Sequence, residues 1–287
     1  MTGARIHDRG YRAYDGDRTG TFGAVWSVGW HSMRAVLGIG RPARYKFFPS
    51  LAAVIAFLPA IVFVGLAALF PVDLLEGVAP SYSDYLGYVG VALVLFCGLV
   101  APEVLVRDRR DGMFELYLST PLSRDTYLVA KVGAVMATLG IVTIGPPLLQ
   151  LIGFSFEGAG PDGLGDWLSV FVRILAAGLA MSAVFAAVSL AAASLTDRRA
   201  FASVGIILVL LVSSAVIDGL VNEAGLSVYL QLLNLLIIPF ELVFRIYGEP
   251  GNFPELSTDI VVLANVGWLA AGTAVIWLRY RRLAAGR

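Results

Sequence analysis

Residues 85–125 read YLGYVGVALVLFCGLVAPEVLVRDRRDGMFELYLSTPLSRD. The part from Tyr85 to Val106 carries one charged residue, Glu103, and is long enough to cross a bilayer, which takes about 20 mainly apolar residues. The part that follows, 107–125, has the charge density of a loop in water. It nevertheless keeps Met113, Phe114, Leu116, Tyr117 and Leu118 in its middle. Two questions follow: how many such spans the chain has, and what the apolar side chains of this loop touch.

Of the 287 residues, 58% are hydrophobic and 15% charged, where a soluble domain carries about 25% charged residues. Lipid offers no partner to an unpaired backbone group, so an apolar run of this length is expected to be helical. Six stretches qualify: 47–70, 85–106, 126–153, 167–195, 200–220 and 260–278. The expected fold is an all-α polytopic membrane protein, with a six-span domain over 47–278. Pro49, Pro59, Pro102 and the Pro146-Pro147 pair predict kinks where a backbone donor is missing.

Residues 1–20 mix Arg, Asp, Gly and Tyr and lack the apolar core of a signal peptide, so they are expected on the cytoplasmic side. Six spans then return the C-terminal tail, 279–287, to that side. Every cation except Arg173 and Arg245 falls on the cytoplasmic side in this arrangement. The outer loops receive Asp73, Glu76, Asp84, Glu157, Asp162 and Asp166. This is the asymmetry of a plasma (inner) membrane protein.

Three segments refine the picture. Over 21–46, Trp26, Trp30, Met33 and Leu37 alternate at helical spacing with Arg34, Arg41 and Arg44, which suits an amphipathic helix lying in the inner interface against membrane lipids. Residues 226–247 are nearly apolar enough to cross, but Gln231, Asn234, Pro239, Glu241 and Arg245 interrupt them. A seventh crossing would also carry the Arg-rich tail outside. The expectation is therefore an outer re-entrant pair of short helices turning near Pro239, with Glu241 and Arg245 paired across one turn. In the fourth span, Gly178, Ser182 and Ala186 recur every four residues, a spacing that lets a second helix of this chain, or of another, approach closely.

The greasy loop reads as a short helix from Asp108 to Leu118, with Met113, Phe114 and Tyr117 on one face and Arg109, Arg110 and Glu115 elsewhere. Thr120 before Pro121 marks a turn. Ser123 is placed to cap the third span, with Asp125 in its positive first turn. Such a helix lies on lipid or plugs into a partner. The mixed signs of Asp108, Arg109, Arg110, Asp111 and Glu115 suit a protein groove better than an anionic leaflet.

Several function classes are disfavoured. Lys46 and Lys131, the only lysines, follow Tyr45 and Ala130, so the chain has no P-loop and should not itself hydrolyse a nucleotide that way. With one cysteine, Cys97, and two histidines ahead of the first span, no metal site and no resident cofactor are expected. No catalytic residues are assigned and no nucleic-acid partner is expected. A membrane-embedded lipid-modifying enzyme needs clustered acid–base groups at membrane depth, and a secondary transporter or channel needs midplane carboxylates or matched broken helices. The spans offer isolated groups instead. Glu103 pairs with Arg107 one turn on or gates the path. Arg173 snorkels toward Asp166 or headgroups, or else faces the path. Asp218 is read as solvated, and Glu241 with Arg245 as an interfacial pair or an outer gate.

The string Asp108-Arg109-Arg110-Asp111-Gly112-Met113-Phe114-Glu115-Leu116-Tyr117-Leu118-Ser119-Thr120-Pro121-Leu122-Ser123-Arg124, with Lys131 beyond it, resembles the coupling-helix signature of ABC exporter permeases of the six-span drug and polysaccharide type, the type V exporter fold. The string from Ile6 to Gly16 is similar to the start of many bacterial permeases of this kind. Gly112, Glu115, Leu116, Thr120, Pro121, Leu122, Ser123 and Arg124 match the signature, while Asp108 stands where Glu is usual and Met113 where a small residue is common. The resemblance implies a transmembrane export subunit for a drug, lipid or glycolipid. Its partners would be two separate ATPase subunits holding ATP and Mg, and a second permease copy or paralogue. The segment 107–123 would serve as the coupling helix that passes ATPase movement to the spans.

Overall fold

A computed structural model describes residue 16, residues 20–70 and residues 80–285. The N-terminal string up to residue 15, Asp73, Glu76 and Arg287 lie outside the described residues. Every regular element among the described residues is helical: α1 (Gly20–Val36), α2 (Phe47–Leu69), α3 (Tyr85–Arg110), α4 (Met113–Leu118), α5 (Arg124–Thr143), α6 (Gly145–Phe156), α7 (Gly163–Ser194), α8 (Arg199–Asp218), α9 (Ile238–Tyr247) and α10 (Thr258–Ala285). Short 3-10 helices occupy Ala43–Tyr45 and Val228–Leu233, and a π turn occupies Gly219–Glu223.

Six segments are long and apolar enough to cross a membrane: Phe47–Leu69, Tyr85–Arg110, Arg124–Phe156, Gly163–Ser194, Arg199–Glu223 and Thr258–Leu283. They correspond to the six expected stretches, with shifted ends. The third is α5 and α6 in succession. Its break falls at Ile144, just ahead of Pro146-Pro147, because proline fits the first turn of a new helix and not the interior of an old one. At Pro59 and Pro102 the helices run on unbroken.

Spans two and four, α3 and α7, form the buried centre, while α2, α8 and α10 stand at the periphery with most of their surface uncovered. Helix α3 packs on α2, α5, α7 and α8, and α7 packs on α5, α9 and α10. The small residues of α7 make this possible. A Cβ at Gly178 would drive into Ile144 and come within 3.1 Å of the Thr143 carbonyl oxygen. Thr143 uses the closeness: its Oγ1 donates to the Gly178 carbonyl at 3.0 Å and shares a hydrogen bond with Ser182 at 2.8 Å. The Gly178-Ser182-Ala186 stripe is buried within this chain, so it packs helices of one subunit together.

Two expectations about boundaries are corrected. The N-terminal amphipathic helix does not extend to residue 46; α1 stops at Val36, and Pro42 follows in the linker. Its buried face is Val28, Ser32 and Val36, packed on α5 and α3, while Trp26 and Trp30 stack at 6.5 Å on the uncovered side. In segment 226–247 the turn lies at 234–237 rather than at Pro239, which sits in the first turn of α9. Asn234 fixes that turn, its Oδ1 accepting from the amides of Leu236 and Ile237 at 3.2 and 3.0 Å. Asp218 is not simply solvated. Its carboxylate accepts from Gln231 at 2.8 Å, Asn234 at 3.3 Å and Ser214 at 3.1 Å, tying the end of α8 to the Val228–Leu233 helix.

Candidate functional site

The loop between the second and third spans is built as an elbow. The expected continuous helix from Asp108 to Leu118 is broken at Gly112, whose φ of 68° lies in the left-handed region open to glycine. The upstream half therefore belongs to α3, and α4 leaves it in a new direction. At the far end Thr120 and Ser119 fold their hydroxyls back onto the carbonyls of Tyr117 and Leu116, at 2.6 and 2.8 Å. Ser123 then caps α5 in a reciprocal box with Thr126: the Ser123 amide donates to Thr126 Oγ1 at 2.8 Å and Ser123 Oγ accepts from the Thr126 amide at 3.2 Å. The cap expected for Ser123 is thus present.

The apolar side chains of α4 divide between two faces. Phe114 is 9% exposed and packs edge-on to Tyr127 of α5 and Tyr280 of α10, at 5.1 and 5.3 Å between ring centres. Tyr117 leans on Tyr127 at 5.6 Å. Burial, and then the Asp108 carboxylate, raise the Tyr117 phenol above its ordinary pKa, so it stays neutral. Phe114 is thereby corrected from a partner-facing anchor to a core residue of its own chain. Periodicity had placed it on an apolar face, and Tyr280, from the far end of the chain, covers that face. Met113 and Leu116 remain uncovered, Leu116 at 59% exposure, and Glu115, Thr120, Pro121 and Ser123 lie exposed beside them.

Charged residues below the elbow hold it rigid. Lys131 of α5, 2% exposed, has its Nζ 2.5 Å from Asp108 Oδ2 and 2.7 Å from Ser32 Oγ of α1, with the rings of Tyr117 and Tyr127 each 5.3 Å away. The Tyr127 hydroxyl donates to the same Asp108 oxygen at 3.1 Å. Arg109 lies off the apolar face, as the helical reading expects, and turns into the bundle. Its guanidinium donates to the carbonyls of Ala193, Ser194 and Thr196 at 2.8, 2.7 and 2.6 Å, which satisfies the end of α7. Asp197 lies 3.6 Å from its Nε, an ion pair too long to be a hydrogen bond. Arg124 pairs with its neighbour Asp125 at 2.9 Å and lies over the Trp277 ring at 5.3 Å.

Glu103 makes the expected contact with Arg107, at 2.9 Å, and two that its sequence neighbourhood does not suggest. Arg41, from the linker after α1, reaches the same oxygen at 2.6 Å, and Arg199, the first residue of α8, reaches the other at 2.6 Å. Lys131 is already marked by the loop signature, whereas Arg41, Arg199, Tyr127 and Tyr280 are the members of this end of the bundle that single-segment patterns miss. Their only advance signal is that cations and aromatics flank the same ends of the spans.

At the opposite end Glu241 and Arg245 form the expected pair at 2.7 Å, but as a buried brace. Glu241 is fully buried and also accepts from the amides of Asn252 and Phe253, at 3.0 and 3.4 Å. Arg245 donates to the carbonyls of Glu249, Phe253 and Leu256, at 3.3, 2.9 and 3.1 Å. Together they hold the loop that leads into α10. Arg173 makes no ion pair with Asp166 among the described residues. Its Nη1 donates to the Tyr247 carbonyl at 3.0 Å, at the end of α9. The two ends of the molecule thus share one device, an arginine closing the last turn of a neighbouring helix.

A family model described as ABC-2 family transporter protein matches residues 75–278, which takes in α3 to α9 and most of α10. The chain belongs to the ABC-2 transporter family. It is accordingly a multi-pass membrane protein and a permease, a transport component rather than a catalytic one. No curated protein matches the chain. The permease expected from the loop signature is therefore supported at the level of family, and permeases of this family work with ABC ATPase partners.

Proposed function

We propose that this ABC-2 permease is the membrane half of an ATP-driven exporter, and that α4 is its coupling helix. The observation that supports this is the split of α4 into a buried face and an exposed one. Phe114, Arg109 and Asp108 anchor the helix to spans three, four and six, while Met113, Leu116 and the 119–121 turn stay uncovered. A lever needs both: a rigid root and a free apolar contact for a partner to grip. The partner is a separate ATPase subunit, two per transporter, which bind ATP with Mg. The permease pairs with a second copy or a paralogue. The charge asymmetry supports a cytoplasmic location for both termini and the loop at the plasma membrane, and the resemblance of the loop to exporter permeases supports outward movement of substrate. Segment 226–247, with its two short helices, dips into the outer leaflet and returns.

The split face gives a test in two arms. Met113→Ser with Leu116→Asp should abolish co-purification of the ATPase and ATP-dependent transport, while the melting temperature stays within about 2 °C, as for surface changes. Phe114→Ala should do the reverse in first order, lowering stability by about 3–5 kcal/mol through loss of a buried ring. An outward-face variant that still binds its ATPase and transports normally would remove α4 from the coupling role.

A further inference from the structure

The three-arginine arrangement on Glu103 is more than a single carboxylate needs. One cavity of about 340 Å³ opens there, lined by Arg41, Arg107, Arg110 and Arg199 against Glu103 and Asp111. Four guanidiniums face two carboxylates among the described lining residues, and Glu103 already holds three of the four. Asp111 is shared between Arg107 and Arg110 at 3.4 and 3.3 Å, the long end of an ion pair. The cations come from three separate elements, the linker after α1, the end of α3 and the start of α8, so they are assembled by folding. Arg199 also begins α8, whose first turn has no side-chain cap and adds its own positive end.

The cavity does not stop at the charges. An adjoining space of about 320 Å³ shares Arg41, Glu103 and Arg199 and continues between Val36, Phe48, Pro49 and Leu99, an apolar wall leading along α2 and α3. A charged head on an apolar groove is the shape of a phospholipid: the phosphate meets guanidiniums that bind it in bidentate fashion, and an acyl chain follows the wall. We propose that this pocket binds the phosphate of an anionic phospholipid, with Arg199 and Arg41 as its principal ligands and Glu103 as the internal anion it competes with. The leaflet concerned follows from the proposed orientation, but binding itself does not depend on export or on ATPase coupling.

The test is native mass spectrometry of the full-length chain in neutral detergent, titrated separately with phosphatidylglycerol, phosphatidylcholine and glycerol phosphate. Phosphatidylglycerol should be retained about tenfold more tightly than phosphatidylcholine. Arg199→Gln should lower that affinity about fivefold, the effect of one interfacial cation, and Glu103→Gln should raise it by a similar factor. A merely structural cluster would not give opposite signs. Should Glu103→Gln loosen the fold, Arg110→Gln, on an exposed side chain, carries the same expected loss. Equal retention of the two lipids, or no change in Arg199→Gln, overturns the proposal. Glycerol phosphate held as tightly as the anionic lipid moves the site to soluble phosphate and overturns its lipid character. Loss of the ATPase from Arg199→Gln with lipid retention intact gives the pocket to an acidic segment of that partner instead.

Discussion

Replacing Asp108 by Ala is expected to cost about 3–5 kcal/mol, because it strips the carboxylate from a lysine that is buried between α1 and α5. A buried pair adds little net stability, since both ions lost their water on folding, but half a pair is an uncompensated charge. For a chain of this length the loss corresponds to a fall in melting temperature on the order of 10 °C. Ser32 Oγ and the Tyr127 hydroxyl cannot substitute. One is an uncharged acceptor that supplies no counter-charge to the ammonium, and the other would itself lose its acceptor. The double variant Asp108→Leu with Lys131→Met removes both charges at similar volume and should recover most of the loss, as paired ions replaced by apolar groups often do. Thermal unfolding of the three proteins in detergent, followed by intrinsic fluorescence, decides the matter. A single variant that melts with the parent would show that Lys131 is solvated.

Glu241→Ala should produce the second large effect, again about 3–5 kcal/mol, by a different route. Here the carboxylate is both a counter-ion to Arg245 and the acceptor for the Asn252 and Phe253 amides, so its loss leaves one charge and two backbone donors unsatisfied. The damage should stay local to the loop before α10 and to α9. Amide exchange is the sharper readout: protection should fall across 248–257 while α3 and α5 keep theirs. Glu241→Gln retains an acceptor oxygen and should lose roughly half as much. If the two variants are equally stable to the parent, the brace described here is not what holds that loop.

The spans were legible because lipid imposes one simple demand, about 20 apolar residues in a row, and α2, α3, α7, α8 and α10 meet it in unbroken segments. The position of the loop helix was legible too, as was the Ser123 cap, since both are written within a few residues. What sequence could not assign was the destination of side chains whose partners lie far along the chain. Phe114 meets Tyr280, Arg109 meets Ser194, Glu103 meets Arg41, and Arg173 meets Tyr247. For Phe114 and Arg109 helical periodicity marked a face. It could not say whether that face meets lipid, a partner or another part of the same chain. The answer for Phe114 and Arg109 is the chain itself, so the exposed part of α4 is Met113, Leu116 and the turn that follows, the surface that the proposed coupling role would use.

Arg109 has one further consequence. By closing the last turn of α7, it fastens the loop between spans two and three to the loop between spans four and five, and Arg279 from the final span donates to the same Ser194 carbonyl at 3.3 Å. Two connections separated by some 85 residues of chain thus form a single end plate. If α4 couples as proposed, force applied at Leu116 would reach the chain a few residues from Arg199, where span five begins. On the proposed coupling role, an ATPase that grips this one handle would move the two loops together.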